Sequence, residues 1–130
     1  MKAVKYGIKS IGPDENGNIE PHRFIEFGKT RERDARALKA GDKMLVHVTG
    51  TAKVLGAAVV VGRHPYSESP HGDYPYRVRC RWIISVPESE GIKAHLLGIK
   101  QNAKLRPYQE ITAGQFAEGL VALLKRSRAA

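Results

Sequence analysis

The sequence predicts one α+β domain over residues 1–130. Its expected form is a small twisted β-barrel of about five to six strands, with short flanking helices and a C-terminal amphipathic helix. Three stretches carry that expectation. Gly41-Asp42-Lys43 is a turn that launches a strand, Met44 to Thr49, and a tight Gly50-Thr51 break leads into an apolar run, Val54 to Val61. Tyr76 to Val86 alternates in character, as a long half-buried strand does. Phe116, Leu120, Leu123 and Leu124 recur at i, i+4, i+7 and i+8, the spacing of a helix with one core-facing stripe. A chain of 130 residues suits one domain with one core.

Each element has its own local reason. Val4, Tyr6 and Ile8 alternate with Lys5, Gly7 and Lys9, so a half-buried strand begins the chain. Pro13 to Asn18 is dense in turn formers and predicts a loop. Phe24, Ile25 and Phe27 form an apolar patch ending at Gly28. Thr30 to Lys39 reads as a short charged helix with Thr30 as its N-cap. The strand over Ala52 to Gly62 is apolar from Val54 to Val61, as in a strand covered on both faces. Small residues at 56 to 58 would admit another backbone or a ligand. Arg63 to Tyr74 has three Pro or Gly residues and no periodicity, and a loop of that length is often functional. On the next strand Tyr76, Val78, Cys80, Trp82 and Ile84 are expected on one face, and Arg77, Arg79 and Arg81 on the other. The last helix opens with a capping box, Thr112 to Gln115, and a hydrophobic staple, Ile111 to Phe116. Lys125, Arg126 and Arg128 sit near its C-terminal end, where cations are favoured.

Composition narrows the function. The net charge is +9, from 22 Lys and Arg against 13 Asp and Glu, an excess that favours nucleic acid first and an anionic membrane surface second. Solubility alone is the plainer explanation of that charge. Hydrophobic content of 42% fits a folded chain. No run of 18 apolar residues is present, so nothing is expected to span a bilayer, and nucleic acid, not a membrane, is the expected partner. Met1 to Tyr6 contains no signal-peptide apolar region, and the single Cys80 suits a reducing compartment, so a cytoplasmic location is expected.

Arg77, Arg79 and Arg81 are spaced to follow a phosphate backbone, each a directional donor, or else to pair with acids on neighbouring elements. The aromatic set is Phe27, Tyr66, Tyr74, Tyr76, Trp82 and Tyr108. Rings of this kind can sandwich a flipped base, although Trp82 alternates with core positions and reads first as core filler. His47, His64, His71 and Cys80 match no common zinc spacing, so neither metal nor cofactor is expected. Cys80 lacks a nucleophile signature, the glycines at 50 and 56 do not form a phosphate loop, and no Ser elbow occurs. Gly28 to Arg33 hints at catalysis through Lys29 and Glu32, against the simpler role of a charged helix start.

Gly41 to Val48 followed by Val54 to Val59, the Tyr74-Pro75-Tyr76-Arg77-Val78 opening and the Glu110 to Leu124 ending together resemble the EVE domain family of the PUA-like superfamily. Lys5 to Ser10 and Val78 to Pro87 also look similar to the YTH methyladenosine readers of that superfamily. The resemblance implies a twisted barrel with a pocket for a modified, methylated base flipped from RNA or DNA. It implies pocket positions at Phe27, Gly28 and Lys29, at Val48 and Thr49, and at Tyr66 or Tyr74. Many EVE domains have Trp where this chain has Phe27, and an Arg-Asn-Tyr helix start where it has Lys29-Thr30-Arg31-Glu32, which implies a differently shaped ligand.

The expected function is therefore a non-enzymatic nucleic-acid module that reads a modified base, with Arg77, Arg79 and Arg81 on the backbone. The alternative is an enzyme on modified nucleosides or RNA. Lys29-Thr30-Arg31-Glu32 partly resembles the Gly-x-Lys-x-x-Glu-x-Arg motif of ASCH domains, but Gly28 stands one position too close and Asp34 replaces the Arg.

Overall fold

The two most apolar segments become the centre of the sheet, because only strands covered on both faces can bury every side chain. They are the third and fourth of seven strands among the described residues. The computed structural model describes residues 4–11, 24–27, 32–49, 53–62, 76–99 and 108–129. In chain order the elements are β1 (Tyr6–Ile11), β2 (Phe24–Phe27), α1 (Glu32–Ala37), β3 (Lys43–Val48), β4 (Lys53–Val60), β5 (Tyr76–Ser85), β6 (Ile92–Lys93), β7 (Tyr108–Glu110) and α2 (Ala113–Ala129). Short 3-10 turns at Glu88–Glu90 and Ala94–Leu97 flank β6.

The strand path is β2-β5-β4-β3-β1-β7, with β6 added beside β4. β1 and β3 run parallel, and the other pairs are antiparallel. The expected closed barrel is not found among the described residues, where the path is open from β2 to β7. Closure needs two edges that run alongside each other at matched tilt and stagger. The end strands here have only four and three residues.

Each face of the sheet carries its own core. α2 covers one, where Ile8, Leu45, Val54 and Ala57 pack with Phe116 and Leu123. On the other, Met44, Val46, Val48, Leu55, Ala58, Val60, Val78 and Cys80 pack with Leu38, and Ile11, Trp82 and Tyr108 lie against them. Below, these are the α2 face and the Trp82 face. Two bulges break the simple alternation. Trp82 pairs with Ala58 but Ile84 pairs with Ala57, across the bulge at exposed Ile83. The two alanines belong to opposite faces, so Ile84 crosses to the α2 face instead of sharing one with Trp82.

The Gly41-Asp42-Lys43 turn is a hub. Gly41 has φ 96°, a left-handed conformation that glycine adopts without strain. Buried Asp42 accepts the Lys5 amide at 3.0 Å and the Lys39 amide at 2.9 Å, tying β1 to the segment after α1. Helix α1 is shorter than the predicted Thr30–Lys39 span, and Thr30 lies outside the described residues.

The α2 capping box forms in both directions. The Gln115 amide donates to Thr112 Oγ1 at 3.0 Å, and the Thr112 amide donates to Gln115 Oε1 at 2.9 Å. The stripe differs at one position. Leu124 is exposed, and Gly119 is buried against Leu45 and Leu97.

Candidate nucleic-acid interface

On the Trp82 face, register sets the floor of a candidate site. One row runs Trp82, Ala58, Met44, Gly7 across four strands. Ala58 and Gly7 are the small members. Tyr108 begins β7 beside Lys9, and its ring folds back over Gly7. A Cβ on Gly7 would stand 2.5 Å from the Tyr108 hydroxyl oxygen, so only glycine leaves the ring in that place. Trp82 and Tyr108 are half-buried and pack against the core of this face. They rise from the two flanks of this floor, over a fully buried Met44.

Lys9 adds a cation to the same face. It is 4% exposed, and its Nζ donates to the Ser10 carbonyl at 2.7 Å. Alternation along β1 predicted an outward Lys9. It is buried because β1 is covered on both faces, with Ile8 packed beneath α2. A buried ammonium near half-buried rings creates a setting for a polar, flat or anionic group.

At the far end of β1 and β3, Thr49 donates through its amide to the Ile11 carbonyl at 2.9 Å, and through Oγ1 to the same oxygen at 3.3 Å. Thr49 is exposed, but its neighbour Val48 is wholly buried. Val48 is therefore a core residue of the Trp82 face. Phe27 pairs with Tyr76 at the start of β5. Ladder register alone sets Phe27 and Val48 at opposite strand ends. Gly28, Lys29, Tyr66 and Tyr74 lie outside the described residues.

Arg79 and Arg81 are exposed and Val78 and Cys80 buried, as alternation predicted. Arg81 pairs with Val59, and Val59 with Lys43, on the α2 face. The two arginines therefore point away from Trp82. Arg77 stands opposite Glu26 in the ladder. Near the β2–β5 pair, α1 carries exposed Arg33 and Arg36.

Two buried titratable groups complete the inventory. Burial pushes the Cys80 thiol up to about 12, which leaves it protonated and unsuited to nucleophilic or metal chemistry. His47 is 4% exposed, its Nδ1 lies 3.1 Å from Ser10 Oγ, and its Nε2 is buried without a hydrogen-bond partner. Burial lowers its pKa. No group of three or more metal-ligating side chains occurs among the described residues. No helix among them is long and apolar enough to cross a membrane.

With this geometry in place, likeness to solved structures decides the fold. The Mmi1 YTH domain superposes with a TM-score of 0.67 at 16% identity, covering 98% of this chain and 79% of its own. The fold is YTH-like. The YTH domain of the Zygosaccharomyces rouxii MRB1 protein, solved in complex with N6-methyladenosine RNA, matches with a TM-score of 0.61 at 14% identity over 95% of this chain and 91% of its own. Protein Atu2648 from Agrobacterium tumefaciens matches with a TM-score of 0.62 at 15% identity over 95% and 93%. No protein-family model matches this sequence, and no curated protein matches it. The PUA-like expectation from sequence is thus supported as a fold, through YTH domains as structural neighbours, and the EVE family itself is not shown.

Proposed function

We propose that this chain is a nucleic-acid-binding module that recognises a modified, methylated base on its Trp82 face. One observation carries the reading. A YTH-like fold, of which one example was solved with N6-methyladenosine RNA, coincides here with two half-buried rings, Trp82 and Tyr108, flanking a floor of small residues. A methylated base is flat and apolar at its methyl edge, and it suits such rings. The Lys9 ammonium supplies a polar contact beside Tyr108, and exposed Thr49 offers another at the far end of β1 and β3. Phe27, Gly28, Lys29, Tyr66 and Tyr74 are the further pocket positions proposed from the EVE-like pattern of the sequence, although by register Phe27 stands opposite Tyr76, well along β5 from Trp82. Arg33 and Arg36 on α1 are the cations we assign to phosphates flanking the base.

The test is a titration of matched short RNA and DNA strands, with and without a methylated base, against wild type and Trp82→Ala. Stacking contributes about 1–3 kcal/mol per base, so Trp82→Ala should lose roughly 5- to 150-fold on the methylated strand and far less on the plain one. Equal losses on both strands would count against a base pocket here. The enzyme alternative has Glu32 as its one described member, and no observation favours it.

A further inference from the structure

The α2 face carries a strip that the base reader does not use. Tyr6, Lys43, Val59 and Arg81 form one row across β1, β3, β4 and β5. Arg79 precedes Arg81 by two residues on the same side of β5, beside Val61. Backbone spacing puts Arg79 and Arg81 about 6.8 Å apart, and Lys43 about 10 Å from Arg81 across β4. Tyr6 belongs to the core, its ring 5.3 Å from that of Phe116. Beyond it the strip opens: Arg79, Arg81 and Val61 are exposed, and Lys43 and Val59 are half-buried.

Nothing in the ladder neutralises these charges. Lys43 and Arg81 flank Val59, and Arg79 stands opposite Phe24. Among the described residues no ion pair engages Lys43, Arg79 or Arg81. Like charges gathered on one sheet face are unfavourable unless an anion joins them. The backbone beneath is fixed, since the amides of Val61 and Gly62 both donate to the Arg79 carbonyl, at 2.9 and 3.2 Å. The residues of the open part of the strip whose exposure is described are cations and valines.

We infer that Lys43, Arg79 and Arg81 form a phosphate track for single-stranded nucleic acid, separate from the base site and on the opposite side of the sheet. It holds the sugar-phosphate backbone without reading sequence. A strand seated in both places must wrap an edge of the sheet, so the track serves long strands more than short ones.

The test uses an unmodified, mixed-sequence single-stranded RNA of about 20 nucleotides, titrated over a range of salt against wild type and R79Q/R81Q. Each lost phosphate contact removes about 0.7 from the slope of log affinity against log salt, so the double variant should lose about 1.4. Adding K43Q should bring the loss to about 2.1. Thermal melting should be unchanged, because the arginines are exposed. An unchanged slope would overturn the track, as would absence of wild-type binding at low salt. Loss of binding to phosphatidylserine vesicles with RNA binding intact would also overturn it, by assigning the strip to a membrane surface. Because the RNA is unmodified, failure of the base reader leaves this outcome untouched.

Discussion

At the residue scale, His47 and Gly7 make separate predictions. His47 is buried and its pKa is lowered by that burial, so the folded state favours the neutral ring. A group of this kind contributes stability in full above its unfolded pKa, near 6.5. That stability is lost as pH falls from there toward the folded pKa, because the unfolded chain binds the proton first. The slope in that window approaches about 1.4 kcal/mol per pH unit. Urea midpoints measured from pH 8 to pH 5 should fall below pH 6.5, and His47→Gln should flatten the fall. Gly7→Ala tests the site itself. The added methyl collides with the Tyr108 ring, the movable partner, so the ring should shift. Binding of a methylated strand should then weaken while the strand pairing of β1 survives, which amide exchange on β1 would reveal.

At the scale of elements, local signals were read well and long-range ones were not. The Thr112–Gln115 box and the Ile111–Phe116 staple are contacts within five residues, so the sequence alone announced them. Thr112→Ala should cost about 1 kcal/mol, read as a lowered denaturant midpoint. Alternation likewise found the exposed arginines and buried Val78 and Cys80. It failed at Ile84, because a bulge depends on the partner strand and leaves no local mark. It failed again at Lys9, whose burial follows from strands and helices far along the chain. Asp42 was legible as part of a turn, but not as a buried acceptor joining Lys5 and Lys39. Hydrogen bonds to a charged acceptor are worth about 1.5–3 kcal/mol each, so Asp42→Ala should be among the more destabilising single changes, by at least about 2 kcal/mol in urea unfolding.

At the scale of the whole molecule, the fold is an open ladder with a core on each face, and the two faces have different chemistry. Aromatic rings, a buried ammonium and small floor residues lie on one, and cations with no ion pair among the described residues lie on the rim of the other. The sequence could announce the basic excess and the doubly covered strand from Val54 to Val61. Alternation already set Arg79 and Arg81 on the side opposite Trp82, but it could not announce that α2 covers the arginines' side, because that follows from contacts far along the chain. The same limit applies to the pocket. Aromatic residues were legible as a set, and register singled out Trp82 and Tyr108 as the pair flanking Gly7 and Ala58.

The central claim is that the Trp82 face prefers a modified base, and the most direct measurement is the affinity ratio for one short RNA sequence carrying either adenosine or N6-methyladenosine, with the corresponding methylated-cytosine and DNA pairs alongside. A clear preference for one methylated strand is expected, reduced toward unity by Trp82→Ala. A ratio of one for every pair, unchanged in the variant, would contradict it.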